Sequence, residues 1–250
     1  MESKQIQDRL AVCGITVSTE TAEKLAAYHA LLMGWNQRMD LTAVTEEAEM
    51  LDRHYVDSLA PLAHPGLLPA QGRVIDVGTG AGFPGMVLAI ACPEAKVTLL
   101  DSLGKRMKWL EEILPGLGIS AQYVTARAEE AVADCREQYD FATSRAVARL
   151  NILLELTAPY VKVGGAVLAM KGTAAEEELA ECAGAIKKLG LKLEEVRKFP
   201  IDGTSHGVII LRKVAPTPAK YPRRLAEGRL QRPARRRAGL LPAYHQGHGV

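Results

Sequence analysis

The chain has 250 residues, of which 48% are hydrophobic and 24% are charged. This size and composition predict one substantial globular core, because domains commonly contain roughly 100 to 200 residues. No apolar run approaches the roughly 18 residues of a membrane span. The N-terminal sequence MESKQIQDRLAV carries charges where a signal peptide would be apolar. We therefore expect a cytoplasmic protein without a membrane segment.

Charge is unevenly distributed along the chain, although the formal net charge is only +2. Residues 220–250 contain eight Lys and Arg and a single Glu, so the preceding residues are acidic overall. Basic tails often neutralise nucleic-acid phosphates, but they are equally often plain solvated segments.

The four cysteines are Cys13, Cys92, Cys135 and Cys182. They form no CxxC pair and have no neighbouring histidine cluster, so they predict neither a disulfide framework nor a metal site. We expect reduced thiols that take part in packing.

Residues 1–68 are predicted to be helical, with almost no strand pattern. The segment STETAEKLAAYHALLMGWNQRM begins with Ser18 or Thr19, either of which can cap a helix. Apolar residues then recur at helical spacing, which predicts a helix that buries one face. The residues on that face are Leu25, Tyr28, Leu32, Trp35 and Met39.

From Arg73 onward, short β-branched runs alternate with helical windows. Because strands that alternate with helices form parallel sheets, this pattern predicts a doubly wound α/β sheet. The strand patterns are RVIDVG, KVTLLD, AQYVTARA, YDFATSRAV and GGAVLAMKG.

The end of the sheet is predicted to differ from the rest. After a helix around residues 173–189, the strand patterns LKLEEVRKFP and HGVIILRKV are joined only by IDGTS. So short a link permits a hairpin but not a parallel crossover, which needs about a dozen residues. We therefore expect a terminal antiparallel strand in a Rossmann-like α/β domain over residues 69–214.

The stretch VIDVGTGAGFPG, residues 74–85, leads from the first strand into a glycine-rich turn. Glycines are needed where a chain turns sharply, lets a ligand approach its backbone and then opens a helix. The spacing does not separate a nicotinamide cofactor from S-adenosylmethionine, and a plain βα turn is also compatible with it. The glycines are Gly78, Gly80, Gly82 and Gly85.

Further features favour S-adenosylmethionine. Asp76, two residues before Gly78, can face a cationic amino acid moiety but would repel a pyrophosphate. Asp101 ends the second strand, where a carboxylate can bind the ribose of either cofactor. The terminal hairpin resembles the class I S-adenosylmethionine-dependent methyltransferase fold, which we predict; an NAD-dependent oxidoreductase is the alternative.

The acceptor atom is constrained by what the sequence lacks. Methylation of pyrimidine carbon-5 needs a cysteine nucleophile, and no Pro-Cys loop follows the fourth strand. Methylation of exocyclic amines uses an Asn/Asp-Pro-Pro-aromatic loop, where this chain has SRAVARL. These observations favour a ring nitrogen such as guanine N7. A small-molecule methyltransferase and a non-catalytic nucleic-acid-binding module remain open.

Eight segments occur in a characteristic order: WNQRMDLTAVT, RHYVDSL, VIDVGTGAGFPG, LLDSLGKRMKWLEEI, ARAEE, DFATSRAVARL, MKG and YPRR. Over about residues 20–222 they resemble the bacterial 16S ribosomal RNA guanine-N7 methyltransferase family, also called the glucose-inhibited division protein B family. The resemblance implies methyl transfer from S-adenosylmethionine to a guanine at nucleotide 527, in the decoding-region loop. The implied partner is 16S rRNA or the 30S subunit, with no metal, and we expect a monomer.

The resemblance also assigns residues to the cofactor. The assigned residues are Gly78, Gly80 and Phe83 at the turn, Asp101 and Ser102 at the ribose, and Ala128 and Glu129 at the adenine. Arg145 would close the site and is the candidate catalytic residue. From the residues alone it could orient the cofactor carboxylate, hold a phosphate or guanine O6, or be an ordinary paired surface arginine.

Three cations are expected at the ligand-binding edge of the sheet, where they could bind RNA phosphates: Lys105, Arg106 and Lys171. On the helical side, the resemblance implies that His54, Asp57 and Ser58 hold the N-terminal region against the turn rather than form a hydrolase triad. Trp35 and Asn36 are expected to pack and to form a local hydrogen bond, with base binding as a second option.

Residues 215–250 are rich in Pro, Arg and Gly, which predicts a basic, flexible tail. After YPRR, family members continue only briefly, whereas this chain continues with LAEGRLQRPARRRAGLLPAYHQGHGV. That composition is typical of a shifted reading frame, a hypothesis that sequencing the gene would test. Its charge is therefore poor support for RNA binding, and local patches on the acidic body would have to bind the RNA.

Overall fold

The computed structural model describes residues 1–63, 71–145, 147–172, 175–201 and 204–223. Helices α1 (Ser3–Val12) and α2 (Thr19–Met39) open the chain. A continuous helical stretch follows, made of α3 (Glu47–Met50), a π-helical turn (Leu51–Val56), α4 (Asp57–Leu59) and a 3-10 turn (Ala60–Ala63). The predicted domain boundary between residues 68 and 69 lies outside the described residues.

Helix α2 begins where its cap was predicted. The Ser18 hydroxyl accepts a hydrogen bond from the Thr21 N–H at 3.1 Å, which satisfies one of the free amides of the first turn. Leu25, Tyr28 and Leu32 are fully buried on one face. The cap residue therefore predicted the start of this helix, and the apolar spacing predicted the face that packs.

The described strands form one seven-stranded sheet. In chain order they are β1 (Arg73–Val77), β2 (Lys96–Asp101), β3 (Gln122–Thr125), β4 (Tyr139–Arg145), β5 (Val161–Lys171), β6 (Leu191–Ile201) and β7 (Thr204–Lys213). Their order in the sheet is β3-β2-β1-β4-β5-β7-β6. β1 to β5 pair in parallel, whereas β7 lies antiparallel between β5 and β6.

Helices connect the strands on both faces of the sheet. They are α5 (Gly85–Ala91), α6 (Gly104–Ile113), α7 (Ala128–Cys135), α8 (Leu150–Thr157), α9 (Ala175–Glu181) and α10 (Ala183–Lys188), with 3-10 turns at Pro115–Leu117 and Ala158–Tyr160. The single helix predicted around residues 173–189 is thus two short ones. The Cys182 N–H bonds to the carbonyl three residues earlier instead of four, which interrupts the α-helical ladder.

The sheet separates two hydrophobic cores, because successive residues of a strand point to opposite faces. Val74 and Leu99 belong to one core and their neighbours Ile75 and Leu100 to the other. The N-terminal helices, α5 and α6 complete the first core, and α7 to α10 complete the second. The N-terminal helices therefore reach the same side of the sheet as the glycine-rich turn.

The chain after β7 is anchored by a buried ion pair. The Lys213 side chain is fully buried, and its ammonium donates to the Ala158 carbonyl at 2.7 Å and to the Thr217 hydroxyl at 2.5 Å. It also pairs with Glu137 at 3.1 Å. These contacts use every donor of the ammonium, as a buried charge requires.

Residues 215–223 pack against the domain, although the sequence predicts that a flexible tail begins there. Arg136 donates hydrogen bonds to the carbonyls of Thr217 and Tyr221. Contacts of this kind, from a side chain to the backbone of a distant segment, cannot be predicted from a Pro- and Arg-rich composition. The rest of the predicted tail, residues 224–250, lies outside the described residues.

Three general findings concern the described residues only. None of the helices in this part of the chain has both the length and the hydropathy needed to cross a membrane. No group of three or more His, Cys, Asp or Glu in these segments could hold a metal ion. All four cysteines are free thiols, buried or half-buried.

Candidate active site

A cavity of about 570 Å³ opens at the carboxyl ends of β1, β2 and β4. This edge is where open α/β sheets bind their ligands, because loops from neighbouring strands diverge there. Four segments line the cavity, residues 41–44, 77–81, 100–103 and 126–129. The other lining residues are His54, Phe83, Arg106, Arg145, Val147 and Leu156.

The glycine-rich turn forms the floor of this cavity. Gly78 and Gly80 have φ angles of +76° and +58°, which other residues rarely adopt. The Gly78 N–H donates to the Leu100 carbonyl at 2.8 Å, which ties the turn to β2. A Cβ on Gly78 would lie only 2.4 Å from Val147 Cγ2. The turn therefore presents bare backbone to the cavity.

Asp101, predicted to bind the ribose, lies at the cavity wall. Its Oδ2 accepts from the Gly80 N–H and its Oδ1 from the Leu103 N–H, both at 2.9 Å. Each carboxylate oxygen keeps a further lone pair, so the group can still accept from a diol. Ser102 lies beside it in the same wall and is exposed.

The predicted adenine residues line another part of the cavity wall. Ala128 and Glu129 begin α7, and both line the cavity. The Tyr160 hydroxyl donates to the Ala128 carbonyl at 2.6 Å, which fixes this end of the wall. Glu129 pairs with Arg127 at 3.0 Å, and Leu156 adds an apolar surface.

Asp76 is placed differently from the prediction. Its carboxylate is fully buried beneath the turn and does not line the cavity; Oδ2 accepts from the Gly85 N–H at 2.8 Å. Burial raises the pKa of this carboxyl from 3.8 to about 6. In this arrangement Asp76 joins β1 to the start of α5 and has no direct path to a cationic ligand.

The Asp76→Asn variant is expected to be more stable than the wild type at pH 7.5, by up to about 3 kcal/mol for the two pKa units involved. A carboxyl with a raised pKa stabilises the fold below pH 3.8, and that contribution is lost as the pH rises through about 6. The amide keeps an oxygen for the Gly85 N–H. Urea unfolding at several pH values measures the effect.

The exposed carboxyl of Asp134 supplies the control for this experiment. Asp134→Asn makes the same chemical change at an exposed position and is measured in parallel. If the Asp76→Asn curve runs parallel to the wild-type curve from pH 4 to 7.5, the raised pKa is refuted.

Arg145 connects the sheet to the N-terminal helical region. Its Nη1 donates to the Arg53 carbonyl at 2.5 Å and lies 3.5 Å from Asp57 Oδ2. Its guanidinium carbon lies 5.1 Å from the centre of the Phe83 ring, within the range of a cation–π contact. The predicted pairing of Asp57 with the turn region is thus made through this arginine.

His54 lines the cavity next to Phe83. The two ring centres are 4.4 Å apart with an angle of 33° between the planes. His54 Nε2 is hydrogen-bonded to the Thr42 hydroxyl at 2.9 Å. Burial and the nearby Arg145 guanidinium lower the pKa of His54 to about 3, so the imidazole is neutral. Ser58, on the same helical stretch, is fully buried away from the cavity.

The predicted RNA-binding cations occupy unlike environments. Lys105 is exposed at the start of α6, and Arg106 lines the cavity with Nη2 3.5 Å from the Asp40 carbonyl. Lys171 is only 9% exposed; its ammonium donates to the Ala148 carbonyl and pairs with Glu178 at 2.8 Å. Lys171 thus supports the loop after β4 and is not available to a phosphate.

Sequence reasoning missed one residue that shapes the turn from the N-terminal side. The Tyr28 hydroxyl donates to the Ala81 carbonyl, so a residue predicted only to pack also holds the turn. A tyrosine on a buried helix face was the available signal, since its hydroxyl needs a partner when buried. The local hydrogen bond predicted for Asn36 is confirmed, because its amide bonds to the backbone of Thr42 through both ends.

The sheet order, the antiparallel strand next to β5 and the bare backbone of the turn are those of the class I S-adenosylmethionine-dependent methyltransferase fold. The cavity fits that cofactor, since glycine backbone faces it where a Cβ has no room and a carboxylate ends β2. Comparison with known proteins is more specific: a family model described as rRNA small subunit methyltransferase G matches residues 21–204. The chain belongs to this family, which confirms the predicted membership.

Two named relatives illustrate the match. A ribosomal RNA small subunit methyltransferase G from Alkaliphilus metalliredigens is 42% identical over 230 residues, 90% of this chain and 96% of that protein. Its namesake from Thermoanaerobacter sp. (strain X514) is 45% identical over 216 residues, 84% of this chain and 90% of that one. Membership of a methyltransferase family leaves no support for an NAD-dependent oxidoreductase.

Solved structures agree on the fold. A 16S rRNA adenine-N1 methyltransferase from Catenulisporales acidiphilia superposes with a TM-score of 0.50 at 20% identity, over 60% of this chain and 90% of that one. M. jannaschii TYW2 in complex with AdoMet gives a TM-score of 0.54 at 14% identity, over 69% and 80% of the two chains. These structures confirm the predicted fold class. The predicted cofactor, S-adenosylmethionine, is supported by membership of the methyltransferase family.

Proposed function

We propose that this protein methylates N7 of one guanine in 16S ribosomal RNA, nucleotide 527 of the decoding-region loop. Membership of the family over residues 21–204 carries the proposal. The relatives from Alkaliphilus and Thermoanaerobacter are named as methyltransferases of small-subunit ribosomal RNA, and we extend that substrate to this chain. The atom and the nucleotide follow from the resemblance of the eight segments. The protein would act as a monomer in the cytoplasm, on free 16S rRNA or the 30S subunit.

The cofactor half of the cavity would bind and orient the methyl donor. S-adenosylmethionine supplies a methyl group already activated by its sulfonium, so the protein needs mainly to position the two reactants and exclude water. The residues proposed to contact the cofactor are Gly78, Gly80 and Phe83 at the turn, Asp101 and Ser102 at the ribose, and Ala128 and Glu129 at the adenine.

The acceptor half of the cavity suits a nucleophile that needs no base. The N7 lone pair forms the bond to the methyl carbon as the carbon–sulfur bond breaks, and the positive charge passes to the purine without loss of a proton. His54, the histidine at this wall, is already neutral and its pKa of about 3 makes it a weak proton acceptor. This favours N7 over a nitrogen that must first be deprotonated.

Arg145 is proposed to close the acceptor half. It holds the Arg53 carbonyl and the Phe83 ring together, so it fixes the N-terminal region against the turn. Lys105 and Arg106, at and beside the cavity mouth, are proposed to bind RNA phosphates, which position a nucleic acid without selecting its sequence. Because residues 1–219 are acidic overall, phosphate binding has to rely on local cations such as these two.

The proposal predicts that the purified protein transfers labelled methyl from S-adenosylmethionine to 30S subunits or deproteinised 16S rRNA. The RNA must come from cells that lack the modification. Nuclease digestion should place the label in 7-methylguanosine at nucleotide 527, and the rate should change little between pH 6.5 and 9 because no proton leaves the acceptor. Subunits from cells that carry the modification are the control and should accept no label.

Other outcomes would separate the remaining candidates. Label in a base other than guanine, or a rate that rises tenfold per pH unit, would contradict N7 as acceptor. Cofactor binding with no transfer to either RNA would remove the ribosomal substrate and leave the small-molecule methyltransferase. RNA binding without cofactor binding would indicate the non-catalytic module.

A further inference from the structure

The N-terminal helical region contributes one complete wall of the cavity. Residues 41–44 and His54 come from this region, and they face the segments of the α/β domain that hold the cofactor. His54 lies in the π-helical turn Leu51–Val56, and such turns are rare and often occur at functional sites. The wall therefore lies where an acceptor would enter.

The ring of His54 is held at two points. On one side it packs against Phe83, with ring centres 4.4 Å apart. On the other side its Nε2 is hydrogen-bonded to the Thr42 hydroxyl at 2.9 Å. The half-buried imidazole is thus fixed with part of its surface on the cavity.

Thr42 is itself fixed by Asn36. The Asn36 amide donates to the Thr42 carbonyl at 3.0 Å and accepts from the Thr42 N–H at 2.8 Å. It therefore satisfies both backbone groups of Thr42, as a paired β-strand would. The Thr42 hydroxyl also accepts from the Val44 N–H at 3.1 Å. These hydrogen bonds connect helix α2 to His54 through Thr42. Apolar packing alone could bury an imidazole, so we read the hydrogen bonds as fixing the orientation of the ring.

We propose that His54, backed by Phe83 and set in place through Thr42 and Asn36, forms the surface on which the acceptor guanine stacks. This inference rests on the proposed function and names the acceptor subsite within it. Aromatic rings are the usual stacking partners of an extruded base.

The charge of the product supports the same assignment. Methylation leaves the purine positively charged, and an imidazolium in contact with it would oppose the reaction. Two guanidinium groups act on the ring, those of Arg145 and Arg53. Arg145 lies on the Phe83 side and is engaged with the Arg53 carbonyl, and Arg53 pairs with Glu49 at 2.7 Å. A neutral imidazole can instead stabilise a cation through its π face.

The test compares His54→Leu and His54→Phe with a matched control, His29→Leu. His29 is a second histidine of the N-terminal region, 5% exposed and not at the cavity. Steady-state transfer to unmodified 30S subunits gives kcat and KM for the RNA, and titration calorimetry gives the Kd of S-adenosylmethionine. Stacking of one base contributes about 1–3 kcal/mol, or roughly 5- to 150-fold.

We expect His54→Leu to lower kcat/KM for the RNA within that range while the cofactor Kd changes less than about twofold. His54→Phe should recover most of the loss, and His29→Leu should transfer as the wild type does. A fall in cofactor affinity parallel to the loss of transfer, or no loss at all, overturns the subsite and leaves the proposed function intact. Absence of transfer by the wild-type protein overturns both.

Thr42 gives a second test that keeps the ring itself. Thr42→Val removes the hydroxyl that bonds to His54 Nε2, and Thr42→Ser retains it. We expect the valine variant to lose part of kcat/KM for the RNA and the serine variant to keep it. Equal rates for the two variants would show that the hydrogen bond does not position the ring.

Discussion

Gly85→Ala is expected to lower the free energy of unfolding by about 3 kcal/mol and to weaken S-adenosylmethionine binding severely. Gly85 begins α5 directly above β1, and a Cβ there would lie 2.5 Å from Asp76 Cβ and 2.6 Å from Leu99 Cδ2. Neither neighbour can give way, because Asp76 and Leu99 are fully buried. Overpacking of this kind costs about 1–3 kcal/mol and shifts backbone. The shift would pull the glycine-rich turn away from the cavity.

Urea unfolding and calorimetric titration with S-adenosylmethionine measure both effects. Gly34→Ala is the matched control, since Gly34 lies in helix α2 and a Cβ there meets nothing within 4 Å. That substitution should stabilise the protein by about 1 kcal/mol through helix propensity. If the two variants shift stability equally, the close approach of α5 to β1 is not what requires glycine at position 85.

The strands were predictable from sequence because their buried runs are β-branched and short. KVTLLD, for example, is β2 from its first residue to its last. β5 was predicted from Gly164, but it begins at Val161. The missed residues 161–163 read VKV, but Gly164 and Gly165 separate them from the buried apolar run that the pattern detects.

The sequence predicted the terminal hairpin but not its place in the sheet. β7 lies between β5 and β6. A signal for this order exists: residues 208–211 of β7 are all buried, whereas β6 mixes apolar and charged residues. A continuous apolar run is typical of a strand covered on both faces, and a mixed pattern is typical of an edge.

The place of a site residue was predictable where its position along a strand alone determines whether its side chain reaches the cavity. Asp101 ends a parallel strand, so its carboxylate had to lie at the ligand edge. Asp76 is the penultimate residue of β1 and Lys171 ends β5, yet each side chain turns toward a partner inside the protein, Gly85 in one case and Glu178 in the other. The pattern of a strand cannot tell which of these directions a side chain takes.

The N-terminal wall of the cavity was the least predictable part. Its bonds join residues from separate helices, as between Asn36, Thr42 and His54. Each residue is individually ordinary in a helix or a loop. Only the packing of the helical region on the turn brings them together, and that packing depends on the first core as a whole.

Arg145→Ala is expected to reduce methyl transfer to 30S subunits by roughly 100-fold, which is the loss that a misplacement of about 1 Å between reacting groups can cause. The guanidinium joins the Arg53 carbonyl, the Asp57 carboxylate and the Phe83 ring, so its loss frees the N-terminal wall from the turn. The free energy of unfolding should fall by about 1–3 kcal/mol, because a half-buried carbonyl loses its donor.

Arg145→Lys separates charge from geometry. Lysine keeps the positive charge but lacks the planar fork that reaches a carbonyl and a carboxylate together while lying over a ring. It should therefore recover part of the stability and little of the transfer. Arg212→Ala is the control, since Arg212 pairs with Glu194 on the far strands of the sheet and should leave the transfer rate unchanged. Full transfer by Arg145→Lys would mean that a positive charge alone suffices, and that the bridge between the two walls does not set the rate.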